Sequence, residues 1–190
     1  MKNVHEVRHP LIKDLVTRLR NVETESDRFR AFTKSATNYL IYEALADMQT
    51  AKETVTTQTR GKYKGDKLRG KIRFFGVLRE GISMMNVAMD IFPEAEFDLV
   101  GVKRNDDDPF NEKANVYLNK FKDLDKGVER VVLMDQMLAT GGTMIVLLDS
   151  LINEYKFEGE VDIISMIVAK IGAENILKRF PDVKITCAGF

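Results

Sequence analysis

The sequence predicts an α/β domain: a mainly parallel sheet flanked by helices, with an N-terminal helical extension. Two patterns predict it. From Ile72 onward, short apolar runs (IRFFGVL, FDLVGVK, VVLM, VDIISMIVA) take turns with helical stretches (SMMNVAMDIF, TMIVLLDSLINEY, AENILKRF). A strand buried on both faces loses the polar alternation of a half-exposed one, and crossover helices supply the cover, so this order implies parallel strands. Ahead of it, from Leu11 to about Met48, the apolar spacing is helical.

Taken in order, Leu11, Leu15 and Leu19 recur at four-residue spacing and mark a first helix. Phe29, Phe32, Ala36, Tyr39 and Leu40 mark a second, for which Thr24 or Ser26 offers a capping oxygen. Thr54 to Gly70, TVTTQTRGKYKGDKLRG, reads as a β excursion followed by a turn-rich basic loop. Arg104 to Asn115, RNDDDPFNEKAN, is polar and acidic, with Pro109 blocking a helix. Both stretches lie among the elements of the core, so neither is an interdomain linker. The expected organisation is one domain, 1–190, with a helical part at 1–50 and the α/β core at 71–190. His5 and His9 read as structural, since two histidines near a terminus make a weak metal-ligand set.

Composition narrows the function classes. At 190 residues the chain fits one well-cored domain. Lys+Arg and Asp+Glu are equal at 29 each, so no global basic field draws nucleic acid. A small, locally recognised ligand is the better expectation. The single cysteine, Cys187, has no partner for a disulfide or a CxxC site, which fits a reducing compartment. No apolar run approaches ~18 residues and MKNVHEVRHP is no signal sequence, so a cytoplasmic protein without membrane contact is expected.

The chemistry concentrates in MDQMLATGGT, Met134 to Thr143, between one apolar run and one amphipathic run. That position predicts a strand-to-helix turn at the carboxyl edge of a parallel sheet, where unpaired amides and aligned peptide dipoles favour an anion. Gly141 and Gly142 would admit a phosphate close to the backbone, and the Thr140 and Thr143 hydroxyls could donate to it. From spacing alone, such a Gly-Gly turn serves chain geometry as readily as it serves phosphate. The lysine of a Walker A loop is missing, and so is GxGxxG, which disfavours ATP and NAD. Asp135 adds an acceptor suited to sugar hydroxyls, and a ribose 5-phosphate has both features.

DQMLATGGT, Asp135 to Thr143, resembles the phosphoribosyl pyrophosphate loop of the uracil phosphoribosyltransferases, whose usual reading is close to DPMLATGG followed by Ser or Thr. HPLIKDLVTRLRNVETESDRFR, YEALADMQT, VLREGISMM, VGVKRND and VAKIGAENILKRFPDVKITCAGF resemble the family's segments in the same order, over nearly the whole chain. The resemblance implies a type I phosphoribosyltransferase-like fold. It also implies a reaction in which uracil displaces pyrophosphate from phosphoribosyl pyrophosphate, with magnesium carried by that substrate, in a homodimer or higher homo-oligomer. Carried over residue by residue, Asp135, Gln136, Met137, Leu138, Ala139, Thr140, Gly141, Gly142 and Thr143 would hold the 5′-phosphate and ribose. Arg79 of VLREG and Arg104 of VKRND would meet the pyrophosphate. Read without the resemblance, Arg79 is an ordinary strand-end cation, and Arg104 a partner for Asp106, Asp107 and Asp108 in a solvated loop.

Three departures stand out. Gln136 replaces the family's proline, which frees a backbone dihedral and adds an amide donor. Glu80 replaces a small alanine beside Arg79 and would oppose pyrophosphate if it pointed inward. No copy of the family's segment close to YIVPGLGDAGDR, whose backbone receives uracil, occurs in these 190 residues. No uracil-binding residue and no protein metal ligand is therefore assigned. The expectation is a uracil phosphoribosyltransferase, and the alternative is a catalytically weak relative that binds phosphoribosyl pyrophosphate or a nucleotide as a sensor or interaction protein.

Overall fold

A computed structural model describes residues 1–103 and 115–190. In chain order the elements are β1 (Val4–Glu6), α1 (Pro10–Arg20), α2 (Ser26–Ala44), β2 (Thr50–Thr56), β3 (Lys62–Leu68) and β4 (Lys71–Val77). There follow α3 (Ile82–Ile91), β5 (Glu96–Lys103), β6 (Asn115–Leu118) and β7 (Val128–Leu138). The last are α4 (Gly142–Leu148), β8 (Glu160–Val168), α5 (Lys170–Arg179) and β9 (Lys184–Gly189). Seven strands form one sheet in the order β1-β9-β8-β7-β4-β5-β6. Its neighbours are parallel except β5 and β6, which run antiparallel.

Successive strand residues face opposite sides, so each central strand feeds two cores. Phe75, Val131, Leu133 and Ile163 pack with Leu147 and Leu148 of α4 and Ile176 of α5. Phe74, Val132, Met134 and Ile164 pack with Leu40 and Ile41 of α2 and Met84 and Val87 of α3. Helices thus cover both faces, as the unbroken apolar runs require.

Several expectations are corrected. The one fully buried residue of α1 is Ile12, and Leu15 and Leu19 pack half-buried against the core, whereas Leu11 is 68% exposed, so the first leucine of the repeat lies off the inward face. Neither Thr24 nor Ser26 caps α2. Thr24 Oγ1 donates to the Arg18 carbonyl at 2.6 Å, and the capping position is Glu25, which makes no side-chain capping bond. Residues 62–68, read as part of a basic loop, are strand β3, paired with β2 over seven registers. This hairpin stands apart from the main sheet, and all of its strand residues but the half-buried Gly65 are exposed. Strands β1, β6 and β9 went unanticipated. The N-terminal part is therefore not wholly helical, since β1 extends the main sheet alongside β9. His9 is structural as expected: its Nδ1 accepts the Leu11 amide at 3.2 Å and caps α1.

At the amino edge of the sheet two buried arginines are each surrounded by carboxylates. Arg73 bonds Asp98, donates to the Asp123 carbonyl at 2.7 Å and pairs with Glu96 at 3.0 Å. Arg130 meets Asp162 at 2.7 Å, Asp47 at 2.8 Å and Glu160 at 3.0 Å. Burial pushes the Asp162 carboxyl up to about 6 despite Arg130 beside it. The same carboxylate holds Arg130 above its ordinary value against burial.

Candidate functional site

The chain leaves β4 through α3 toward β5 on one side. It leaves β7 through α4 and α5 toward β8 and β9 on the other side and the other face. Strands β4 and β7 are neighbours, so the crevice beyond their carboxyl ends is the switch point of the sheet, where open α/β folds bind ligands. Both motifs singled out by sequence converge there: the VLREG turn follows β4, and the Asp135–Thr143 stretch spans the end of β7 and the start of α4.

The turn is fixed by backbone contacts. Leu78 N donates to the Val100 carbonyl and Gly81 N to the Val77 carbonyl, each at 2.8 Å. A Cβ on residue 81 would lie 2.4 Å from the Met134 carbonyl and 2.5 Å from Val77 N, so only glycine lets the turn seat against β7. The Leu78–Arg79 peptide is cis. Arg79 is exposed, and its guanidinium meets no carboxylate among the described residues. The Glu80 carboxylate accepts its neighbour's amide, Arg79 N, at 3.1 Å, which turns it onto the backbone of its own turn.

The last register of β7 with β4 is Met134 on Gly76, while β7 continues to Leu138 beside β8. Asp135, Gln136, Met137 and Leu138 are thus strand, and the turn proper is shorter than the motif. Asp135 is buried at 8% exposure, opposite Ser165. Met137 is exposed and Leu138 lies in the core, which leaves Leu138 only its backbone for a ligand. Gly141 takes φ 84°, in the left-handed region that favours glycine. The first amide bonded within the helix is Ile145 N, to the Gly141 carbonyl at 2.8 Å, so those of Gly142, Thr143 and Met144 precede the helix's own acceptors. Thr140 and Thr143 are half-buried beside them.

Residues beyond the motif brace this turn. Ala169 N donates to the Leu138 carbonyl at 2.8 Å, and Asn175 Nδ2 to the Thr140 carbonyl at 3.0 Å. A Cβ on residue 172 would meet the Ala139 carbonyl at 2.3 Å, so α5 approaches closely only through Gly172. Gly81, Ser83, Gly172 and Asn175 were not picked out by sequence, because nothing along the chain tells which backbone they approach. Arg104 and the acidic triplet at 106–108 lie outside the described residues. A cavity of about 340 Å³ adjoins the site, lined by Gln136, Met137, Met166, Phe29 and Thr33 among others. Among the described residues no group of three or more His, Cys, Asp or Glu is placed to hold a metal.

Comparison with known proteins places this geometry. Residues 6–190 match the family described as uracil phosphoribosyltransferase. A uracil phosphoribosyltransferase of Ureaplasma urealyticum is 32% identical over 184 residues, 96% of this chain and 85% of that one. The AQ2163 protein of Aquifex aeolicus superposes with a TM-score of 0.83 at 31% identity, covering 98% of this chain and 86% of the other. An adenine phosphoribosyltransferase of Trypanosoma brucei, solved with AMP, pyrophosphate and ribose-5-phosphate, shares the fold at TM-score 0.64 and 14% identity, over 100% of this chain and 84% of that one. A parallel sheet whose switch point gathers the VLREG turn and the DQMLATGGT stretch, with a match from residue 6 to residue 190, establishes that the chain belongs to the uracil phosphoribosyltransferase family.

Proposed function

We propose that the protein transfers the phosphoribosyl group of phosphoribosyl pyrophosphate to uracil, giving UMP and pyrophosphate. The observation that carries this reading is the convergence of Arg79 and the Ala139–Thr143 turn at one switch point, in a chain of this family. In the proposed complex the 5′-phosphate is received by the amides at the start of α4, where Gly142 N otherwise donates to Thr140 Oγ1 at 3.5 Å, and by the Thr140 and Thr143 hydroxyls. Asp135, at the end of β7, accepts from the ribose hydroxyls, and Gln136 to Leu138 line the same strand end. Arg79 faces the pyrophosphate, and Arg104 has the same proposed role.

The charge flow of the reaction explains this division. As the bond from the anomeric carbon to pyrophosphate breaks, positive charge builds on the ribose and negative charge on the leaving group. Arginines beside the leaving group stabilise that departing charge. Magnesium enters bound to the substrate's phosphates and adds to that neutralisation. A uracil nitrogen forms the new bond, so no covalent protein nucleophile is called for, and positioning supplies much of the barrier reduction.

The test is UMP formation from uracil and magnesium phosphoribosyl pyrophosphate, run beside thermal unfolding with and without that substrate. Turnover supports the transferase. A stabilised protein without turnover supports instead a binding protein that uses the same loop. No thermal shift at millimolar phosphoribosyl pyrophosphate would sink both.

A further inference from the structure

We propose that Gln136 and Ser83 form a positioning bridge that sets the pyrophosphate-side turn against the phosphate-side strand. The proposal rests on the site reading above and goes beyond it, since neither residue is asked to touch the reacting atoms. Gln136 Nε2 donates to Ser83 Oγ at 2.7 Å, and Ser83 Oγ donates to the Glu80 carbonyl at 3.1 Å. A serine hydroxyl carries one proton; once that proton points at Glu80, only a lone pair remains for residue 136, which fixes the amide nitrogen of Gln136 toward it. The chain of bonds thus runs from the strand that carries Asp135, through α3, to the backbone of the residue after Arg79.

The location explains why a bridge is useful. Pairing between β4 and β7 ends at Gly76 and Met134, so past that point no ladder bond ties the two strands together. Gly81 seats on the Met134 carbonyl, and two residues further along each segment Ser83 meets Gln136. The second contact removes the remaining freedom of the turn to pivot about the first. Residue 136 is where the family pattern places proline, which stiffens the strand through its own ring. Gln136 leaves φ free and supplies a side-chain tether instead. The dihedral that this substitution frees is matched by a half-buried hydrogen bond.

The prediction is specific to one substrate. Losing one hydrogen bond of this kind corresponds to about a fivefold effect. In Gln136→Met and Ser83→Ala, the KM for phosphoribosyl pyrophosphate, or its Kd by calorimetry, should rise about fivefold. The KM for uracil should stay near wild type, and the melting temperature of the free protein should fall by no more than about 2–4 °C. The double variant should be no worse than either single one, because both remove the same contact. Ser83→Thr, which keeps the hydroxyl, should bind like wild type. If wild type binds phosphoribosyl pyrophosphate and the single variants bind it equally well, or if their effects add, the bridge is refuted while the site stands. If wild type does not bind it at all, the site reading falls first.

Discussion

Gly141→Ala is the sharpest probe of the phosphate turn. The residue sits at φ 84°, and its new methyl would lie 2.8 Å from the Gly172 carbonyl and 3.2 Å from Ile176 Cγ1. A side chain in left-handed backbone costs about 1–2 kcal/mol. Overpacking against backbone adds about 1 kcal/mol or more. The turn relieves this by moving away from α5, so the cost falls on the geometry offered to phosphate more than on the core. At a ligand concentration of about 100 times Kd, binding stabilises the folded chain by about 2.7 kcal/mol. For a chain of this length, that raises Tm by about 5–11 °C. A loss of about 2 kcal/mol in affinity, roughly thirtyfold, leaves a stabilisation near 0.9 kcal/mol and a shift of about 2–3 °C at the same concentration. Thermal unfolding with magnesium phosphoribosyl pyrophosphate reads this directly. A variant whose Tm rises as much as wild type's would refute the assignment of this turn to phosphate.

Further substitutions test the frame around the site. Gly81→Ala puts a methyl 2.4 Å from the Met134 carbonyl with only backbone around it, so it should lower the urea midpoint and weaken phosphoribosyl pyrophosphate binding together. Binding retained at wild-type strength would show that the turn need not seat on β7. Arg130→Met strips the buried Asp162 of its closest cation and should cost about 3 kcal/mol at pH 7 by urea unfolding. The pH sign is fixed by the raised Asp162 carboxyl: its contribution to stability is full below its ordinary pKa and is lost as pH rises through about 6. Removing Arg130 raises that carboxyl further, so the deficit of the variant should narrow from pH 7 to pH 5, and a widening deficit would contradict the burial argument. Cys187 is fully buried and burial pushes its thiol up to about 12, so a thiol reagent should label the protein only after unfolding. Prompt labelling of the native chain would show that the edge beside β1 opens.

The fold was legible where burial is two-sided and long. IRFFGVL, FDLVGVK and VDIISMIVA became β4, β5 and β8 because most of their residues pack against one of two helical layers and are apolar. Strand β9 was missed because its buried run, ITCAG, is short and ends in Ala and Gly, which carry little strand preference. Strand β3 was missed for the opposite reason: KYKGDKL is paired but exposed, so its polarity reads as loop. Within the candidate site, the DQMLATGGT stretch and Arg79 could be singled out because the chemistry proposed for them is local to the chain. The partners that hold them, Gly172, Asn175 and Ser83, lie 31 residues or more away, at separations only the folded topology closes. The orientation of Glu80 was equally undecidable in one dimension, since inward and outward placements differ only in which backbone amide its carboxylate finds.

The two edges of the sheet use arginine in opposite ways, and the contrast bears on function. At the amino edge Arg73 and Arg130 are each surrounded by two or three carboxylates, with side chains 8% and 7% exposed. A buried guanidinium left without such partners would be costly, so these pairs serve the fold. At the carboxyl edge Arg79 stands exposed, with no carboxylate partner among the described residues and with Glu80 turned onto the backbone. Among the described residues its charge is therefore not spent on an internal pair, and an incoming polyanion would break none of theirs to reach it. Polar contacts at this edge instead hold backbone, in Ala169 on Leu138, Asn175 on Thr140, and Gln136 through Ser83 on Glu80. Among the described residues such an edge holds its backbone in place while leaving the Arg79 cation available, which in the proposed reaction would favour charge developing on a departing pyrophosphate.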